Sequence, residues 1–202
     1  MTPRKQELLD RLITYLIAHG PADLSLRPMA EAIGTSARLL IFHFHSKEEL
    51  LADVLGEMQA RLRRSILNLQ AGLDPEGDSP LLRVIWDWAL AKENFGHLRL
   101  LYAMHILAVQ DPSGQARYLK KNAVDWLELT MAALPPSRRD PAFAMLLGAV
   151  FDGLLIEVMG TGNRRRATRA LDQFIQLARE APPGAFDSEP GRKPAPTSGR
   201  KR

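Results

Sequence analysis

Residues 33–51 read IGTSARLLIFHFHSKEELL. The order is that of a glycine turn, a short helix and the capped start of a longer one. Gly34 suits the tight connection between a helix near 26–33 and a second over 36–44, because glycine enters positive φ without a Cβ penalty. Ser46-Lys47-Glu48-Glu49 has the form of a capping box, the Ser46 hydroxyl serving the Glu49 amide and the Glu49 carboxylate reaching back, so a long helix is expected from about 47 to 70. Within 36–44, Leu40 and Phe44 lie one turn apart and, with Met29 and Ile33, can bury against the first helix. Ala37, Arg38, Ile41, Phe42 and His43 are left on other faces. A short helix with two anchors and an exposed arginine among rings is a poor core element and suits a helix entering a DNA major groove.

Outward from this stretch the chain reads as all-α. Apolar residues recur at three- and four-residue spacing, and no segment alternates with β-branched enrichment. Thr2-Pro3, Ser79-Pro80 and Asp140-Pro141 each put a side-chain acceptor at an N-cap and proline at the first helical position, where its missing N–H costs nothing. Gly20-Pro21 closes the first helix, which gives a span of about 3–18. Further helices are expected over about 80–92, 95–110, 114–134, 141–160 and 163–180, separated by loops such as DPEGD, QDPSG and PPSRRD. PPGAFDSEPGRKPAPTSGRKR, from Pro182, is too poor in apolar residues to offset its chain entropy and is expected to be a disordered basic tail. The expected organisation is a DNA-binding domain over 1–46, a ligand-binding and dimerisation domain over 47–181 and the tail over 182–202.

Composition narrows the function classes. With 202 residues, 46% of them hydrophobic, the chain can bury a sizeable core. Having no cysteine, it has no disulfide framework, thiolate metal site or cysteine nucleophile, which fits a reducing, cytoplasmic setting. No apolar run reaches the roughly 18 residues of a membrane span, and MTPRKQELLDRLI carries charges inside its apolar pattern, unlike a signal peptide. A soluble protein without a membrane partner is expected. The net charge of +4 is uneven: residues 1–70 hold nine Lys/Arg against eight Asp/Glu, 71–181 thirteen against thirteen, and 182–202 five against two. Nucleic-acid binding must therefore rest on where charges are placed, not on bulk basicity.

LSLRPMAEAIGTSARLLIFHFHSKEELL resembles the helix-turn-helix of TetR-type transcriptional regulators in Ala30, Gly34, Ser36, Leu40, the His43-Phe44 pair and the Lys47-to-Leu50 start of the linking helix. The match covers about residues 5–55. The resemblance implies a three-helix DNA-binding head with 36–44 as recognition helix, followed by a helical domain that binds a small effector and forms a homodimer. Matched by position, it puts Ala37, Arg38, Leu39, Ile41, Phe42 and His43 on DNA, with Ser25, Arg27 and Ser36 beside them and Lys47 on a phosphate. Lys47 would add counterion-release affinity, and Arg38 could pair with guanine O6 and N7. Two positions depart from the family pattern. Ile41 stands where a backbone-binding tyrosine is usual, so contact with a thymine methyl replaces a phosphate contact. Pro28 replaces a charged or polar residue at the third position of its helix, where its missing N–H costs little.

In FAMLLGAVFDGLLIEVMG, residues 143–160, Phe143, Leu147, Val150, Leu154 and Val158 make one apolar stripe while Leu146, Phe151 and Leu155 make another, more than one protomer core easily absorbs. AVFDGLLIE also resembles the penultimate helix of TetR-type regulators, which with the last helix builds a four-helix dimer interface. That implies Leu147, Val150, Phe151, Leu154, Leu155, Val158, Leu171, Phe174 and Ile175 at a homodimer contact, and a two-fold axis matched to a near-palindromic double-stranded DNA operator. Residues 80–134 should enclose the effector pocket, with Trp86, Trp88, Tyr102, Met104, His105, Trp126 and Met131 as candidate lining and core packing as the competing role of each.

Other classes fare worse. The chain lacks HExxH, GxxxxGK[ST], GxSxG and Glu-x-x-His, and Gly160-Thr-Gly162 lacks the third glycine and the preceding strand of a dinucleotide loop, so catalysis and a cofactor are not expected. His43 and His45 at i, i+2 point to different sides of a helix with no third ligand nearby, so no metal site is expected either. Asp87, Asp125, Asp152 and Glu157 read as isolated, solvated or capping acids. The expected function is an effector-responsive regulator, a repressor since occupancy alone blocks a promoter. The competing reading is a helical ligand-binding or protein-interaction module without specific DNA affinity, which would lack the steep log-linear salt dependence of a DNA binder.

Overall fold

The computed structural model describes residues 2–21, 25–72, 81–110, 126–131, 134 and 139–180. They form α1 (Pro3–His19), α2 (Leu26–Ala32), α3 (Ala37–Phe44), α4 (Lys47–Ala71), α5 (Leu81–Leu90) and α6 (Lys92–Gln110). Of α7, residues 126–131 are described; α8 (Pro141–Thr161) and α9 (Arg164–Glu180) complete the order. There is no strand among the described residues. The predicted tail and the Ser79 cap lie outside them.

Helix ends follow local chemistry. Thr2 Oγ1 accepts from the Lys5 N–H and Asp140 Oδ1 from the Phe143 N–H at 2.8 Å, with Pro3 and Pro141 at the first helical position of their helices. α2 ends in a paired C-cap: the Thr35 N–H reaches the Ala30 carbonyl at 2.9 Å and the Gly34 N–H the Glu31 carbonyl at 3.1 Å. That geometry needs a left-handed residue, and Gly34 has φ 72°. Arg11 Nη1 of α1 donates to the Ile33 carbonyl at 3.2 Å, tying the turn to the first helix.

The capping box at α4 forms only by half. Ser46 Oγ accepts from the Glu49 N–H at 3.0 Å, but the Ser46 N–H is taken by the Phe44 carbonyl at 2.8 Å. His45 lies between them with φ 67° and ψ −46°, a three-residue turn of positive φ that ends α3 and leaves the Glu49 carboxylate without the expected backbone partner. The break between α5 and α6 falls at Ala91 instead of near 93–94, and Asn94 Nδ2 donates to the Trp88 carbonyl at 2.8 Å where α5 ends. Gly96 lies inside α6. A Cβ there would stand 3.4 Å from Ile17 Cγ2, so this glycine permits α6 to close on α1.

The core is continuous from head to body. Leu8, Leu9, Leu12, Ile13 and Leu16 of α1, Met29 of α2, and Leu40 and Phe44 of α3 meet Leu50 and Val54 of α4, all buried. α4 then carries Leu55, Met58, Leu62 and Ile66 into a second group with Trp86, Leu98, Leu101, Met104, Leu155, Val158 and Leu171. α1 also packs on α6, and α5 on α9. Lys5 pairs with Asp53 at 2.7 Å while lying 4.9 Å above the Phe44 ring, so one residue bridges α1, α3 and α4.

α8 corrects one expectation. Its 21 residues, with a window of mean hydropathy 2.0, are long and apolar enough to cross a membrane by length and composition. Its buried Phe143, Ala144, Leu155 and Val158 face the protein's own interior, and it packs along α9, as a bundle helix does.

Candidate DNA-binding helix and effector cavity

Ser36 opens α3, its Oγ accepting from the Leu39 N–H at 3.2 Å. Leu40 and Phe44 are wholly buried, as their one-turn spacing requires. Ala37 is half-buried against the core. The outward face then carries Arg38, exposed, Ile41, 39% exposed, and Phe42, 73% exposed. A phenylalanine in that position has no packing duty within the protomer. His43 is half-buried and meets the Phe42 ring edge-on at 5.1 Å between centroids. Leu39 is half-buried beside them, and Lys47 stands half-buried at the first residue of α4, immediately after the turn.

Ser25 and Arg27 are exposed at the start of α2. Ser25 is the N-cap residue by position, without a side-chain capping bond, and Arg27 sits 3.7 Å from Glu31. The structure therefore gathers Arg38, Ile41, Phe42 and His43 on α3, flanked by Ser36 and Lys47 at its two ends. A short helix with an arginine and apolar groups outward has the shape and chemistry to read a major groove.

In the body, a cavity of about 620 Å3 opens between α4, α5, α6, α7 and α8. Of the residues expected at an effector pocket, Trp88, Tyr102, His105 and Trp126 line it. Trp86 and Met104 do not. Trp86 is fully buried, its Nε1–H donating to Thr168 Oγ1 at 2.9 Å and its ring meeting Phe151 edge-on at 5.5 Å. Residues 86 and 88 point to opposite sides of α5, and the α9 side takes the first into the core. Met104 is likewise buried among core residues, and Met131 is absent from the described lining.

Residues that sequence reasoning passed over complete the wall, among them Gln59, Leu62 and Ile66 of α4, Thr130 of α7, and Gly148, Phe151 and Asp152 of α8. Asp152 is the consequential one: Tyr102 Oη donates to its Oδ1 at 2.5 Å. Asp152 keeps contact with solvent at the cavity mouth, yet the atoms packed around its carboxyl hold its pKa above the usual carboxylate value, opposed by the Tyr102 hydrogen bond and by His105. The Tyr102 hydroxyl is pushed up as well, first by burial and then by the neighbouring carboxylate. Asp152 and Glu157, the two acids of an otherwise apolar α8, were the available signal.

The tetR family model of bacterial regulatory proteins matches residues 5–54, from α1 into α4. Those residues carry the helix-turn-helix head of TetR-type transcriptional regulators. Solved structures extend the likeness over most of its length. The multidrug binding protein EbrR, complexed with imidazole, is 26% identical with a TM-score of 0.66, covering 85% of this chain and 90% of EbrR. EbrR complexed with proflavin is 26% identical at TM-score 0.57, covering 84% and 98%. A TetR family member from Streptomyces coelicolor A3 is 26% identical at TM-score 0.66, covering 85% and 98%. A comparison with curated proteins finds no match.

α8 and α9 distribute the predicted dimer residues in two ways. Leu155, Val158 and Leu171 are buried inside the protomer, Phe151 packs on Trp86, and Leu147 lines the cavity, so these five serve the protomer's own interior. Val150, Leu154, Phe174 and Ile175 are half-buried. The outward apolar surface of α8 lies at Leu146, 42% exposed, Gly153, Ile156, 53% exposed, and Gly160, with Leu177 on α9 67% exposed, while the exposed Met145 and Ala149 line the cavity. Helical periodicity identified an apolar surplus on α8, but the side that α9 and the cavity cover is a tertiary choice.

Proposed function

We propose that this regulator is a homodimeric repressor that occupies a near-palindromic operator through α3 and leaves it when a small apolar or aromatic effector enters the cavity. The observation that carries the DNA half is the pairing on one short helix of fully buried Leu40 and Phe44 with outward Arg38, Ile41 and Phe42. Arg38 is assigned to a base edge, Phe42 and Ile41 to thymine methyl or sugar surface, and Lys47, at the N-terminus of α4, to a phosphate. Ser25, Arg27, Ser36, Ala37, Leu39 and His43 border that footprint. A head with this face needs a second copy to span two successive major-groove sites, and the exposed Leu146, Ile156 and Leu177 surface is the one offered for it.

The effector half is supported by the cavity's size, its Trp88, Trp126 and Tyr102 rings, and its contact with α4, the helix whose first residues follow the DNA-binding turn. That EbrR is described as a multidrug binding protein, with imidazole and proflavin bound, supports a flat aromatic ligand here too. Release requires that the ligand bind one setting of α4 more tightly than the other.

The test is fluorescence anisotropy of the full chain against duplexes tiling its own gene's upstream region, with excess non-specific competitor and a salt series. Competitor-resistant binding to one fragment, lost on Arg38→Ala, is expected. Equal, weak binding to all fragments that Arg38→Ala does not change, followed by no enriched sequence in a genome-wide fragment selection, would overturn the proposal in favour of a module without specific DNA affinity.

A further inference from the structure

We infer that the cavity is made for an aromatic cation, with the Asp152 carboxylate as its counter-charge. The inference rests on reading the cavity as the effector site, and it adds the sign of the ligand's charge. Among the described lining residues Asp152 is the only acid, and no lysine or arginine stands with it. Its hydrogen-bond partner, Tyr102, is a phenol: it orients the carboxylate at 2.5 Å without supplying compensating charge. His105, on the same helix as Tyr102, is the one basic side chain in that lining.

Asp152 is exposed to solvent until a ligand covers it, and neither an apolar ligand nor a neutral ring replaces the hydration that covering removes. A cation does, and the same cavity supplies the faces of Trp88 and Trp126, with which flat cations interact favourably. Aromatic wall, oriented acid and the lack of a lysine or arginine in the described lining thus converge on one ligand chemistry. The Tyr102 hydroxyl acts as a positioning group that holds Oδ1 toward α6.

The experiment is isothermal titration calorimetry of the purified full chain at pH 8 with N-methylacridinium, a permanent cation, and acridine, its neutral counterpart of nearly the same shape. The wild-type protein is expected to prefer the cation by about tenfold, the gain of a partly solvated ion pair. Asp152→Asn should abolish that preference while acridine binds with comparable affinity in both proteins. Asp87→Asn, which removes an exposed acid of α5, should keep it. Equal affinities for the two ligands in the wild type, or a cation preference that survives Asp152→Asn, overturn the inference and leave the effector cavity standing. If neither ligand binds the wild type, the effector-cavity reading itself falls, and the charge assignment with it.

Discussion

Phe42 and Phe44 are the same residue two positions apart on one short helix, and truncating each to alanine should separate recognition from folding. Phe44 is fully buried, with Lys5 4.9 Å from its ring, so Phe44→Ala opens a cavity between α1, α3 and α4. Such losses run to about 3–5 kcal/mol, a large share of the roughly 5–15 kcal/mol that holds a typical domain. Phe42 is 73% exposed, so its truncation should move stability by no more than about 0.5 kcal/mol. On DNA the balance reverses. Full burial of a phenylalanine is worth about 1.5–3 kcal/mol, and a ring covered over about half of its free surface should contribute on the order of 0.5–1 kcal/mol to the complex. That corresponds to roughly a 2- to 5-fold loss of operator affinity for Phe42→Ala. Urea unfolding at one fixed protein concentration measures the first quantity, since a dimer's stability depends on concentration, and anisotropy against the selected operator measures the second. The reasoning is refuted if Phe42→Ala destabilises the fold as much as Phe44→Ala, or if it leaves operator affinity unchanged.

Further outcomes follow from the same geometry. Gly34→Ala should cost about 1–2 kcal/mol in thermal unfolding from its positive φ alone, because the nearest atom to an added Cβ is Arg11 Nη1 at 4.0 Å. Lys47→Ala should weaken binding evenly across DNA sequences and lower the slope of log affinity against log salt by about one unit, where Arg38→Ala should relax sequence preference. Ile156→Arg places charge on the outward stripe of α8 and should yield a folded monomer in sedimentation, an intact dimer locating the interface elsewhere. Asp152 has a folded-state pKa raised above 3.8, chiefly by burial, so its protonated form stabilises the fold below that value and the contribution is lost as pH rises through the folded pKa. Asp152→Asn should therefore raise the melting temperature above the carboxyl range and make no difference in acid; a constant offset at all pH values would contradict the assignment.

Much of the DNA-binding head was legible from residues that act locally. Gly34 meets a positive-φ requirement, Ser36 and Asp140 satisfy amides within their own first turns, and the Leu40–Phe44 spacing selects one buried face whatever packs on it. The second half of the Ser46 capping box failed because the His45 turn directs the Ser46 N–H to Phe44, an outcome set by how α3 ends against α4. In the body, Trp88, Tyr102, His105 and Trp126 were found by composition, but composition could not separate Trp86 from Trp88.

What the sequence by itself determined was the helical order, the turn and the two buried anchors of α3, since caps, glycine conformation and helical period act over a few residues. Tertiary structure alone decided which apolar side of α8 meets the core, that Trp86 bonds to Thr168, and that Asp152 faces a cavity beside Tyr102. The physical reason is that periodicity states which side chains share a face, while the free energy of burying that face depends on which neighbour covers it.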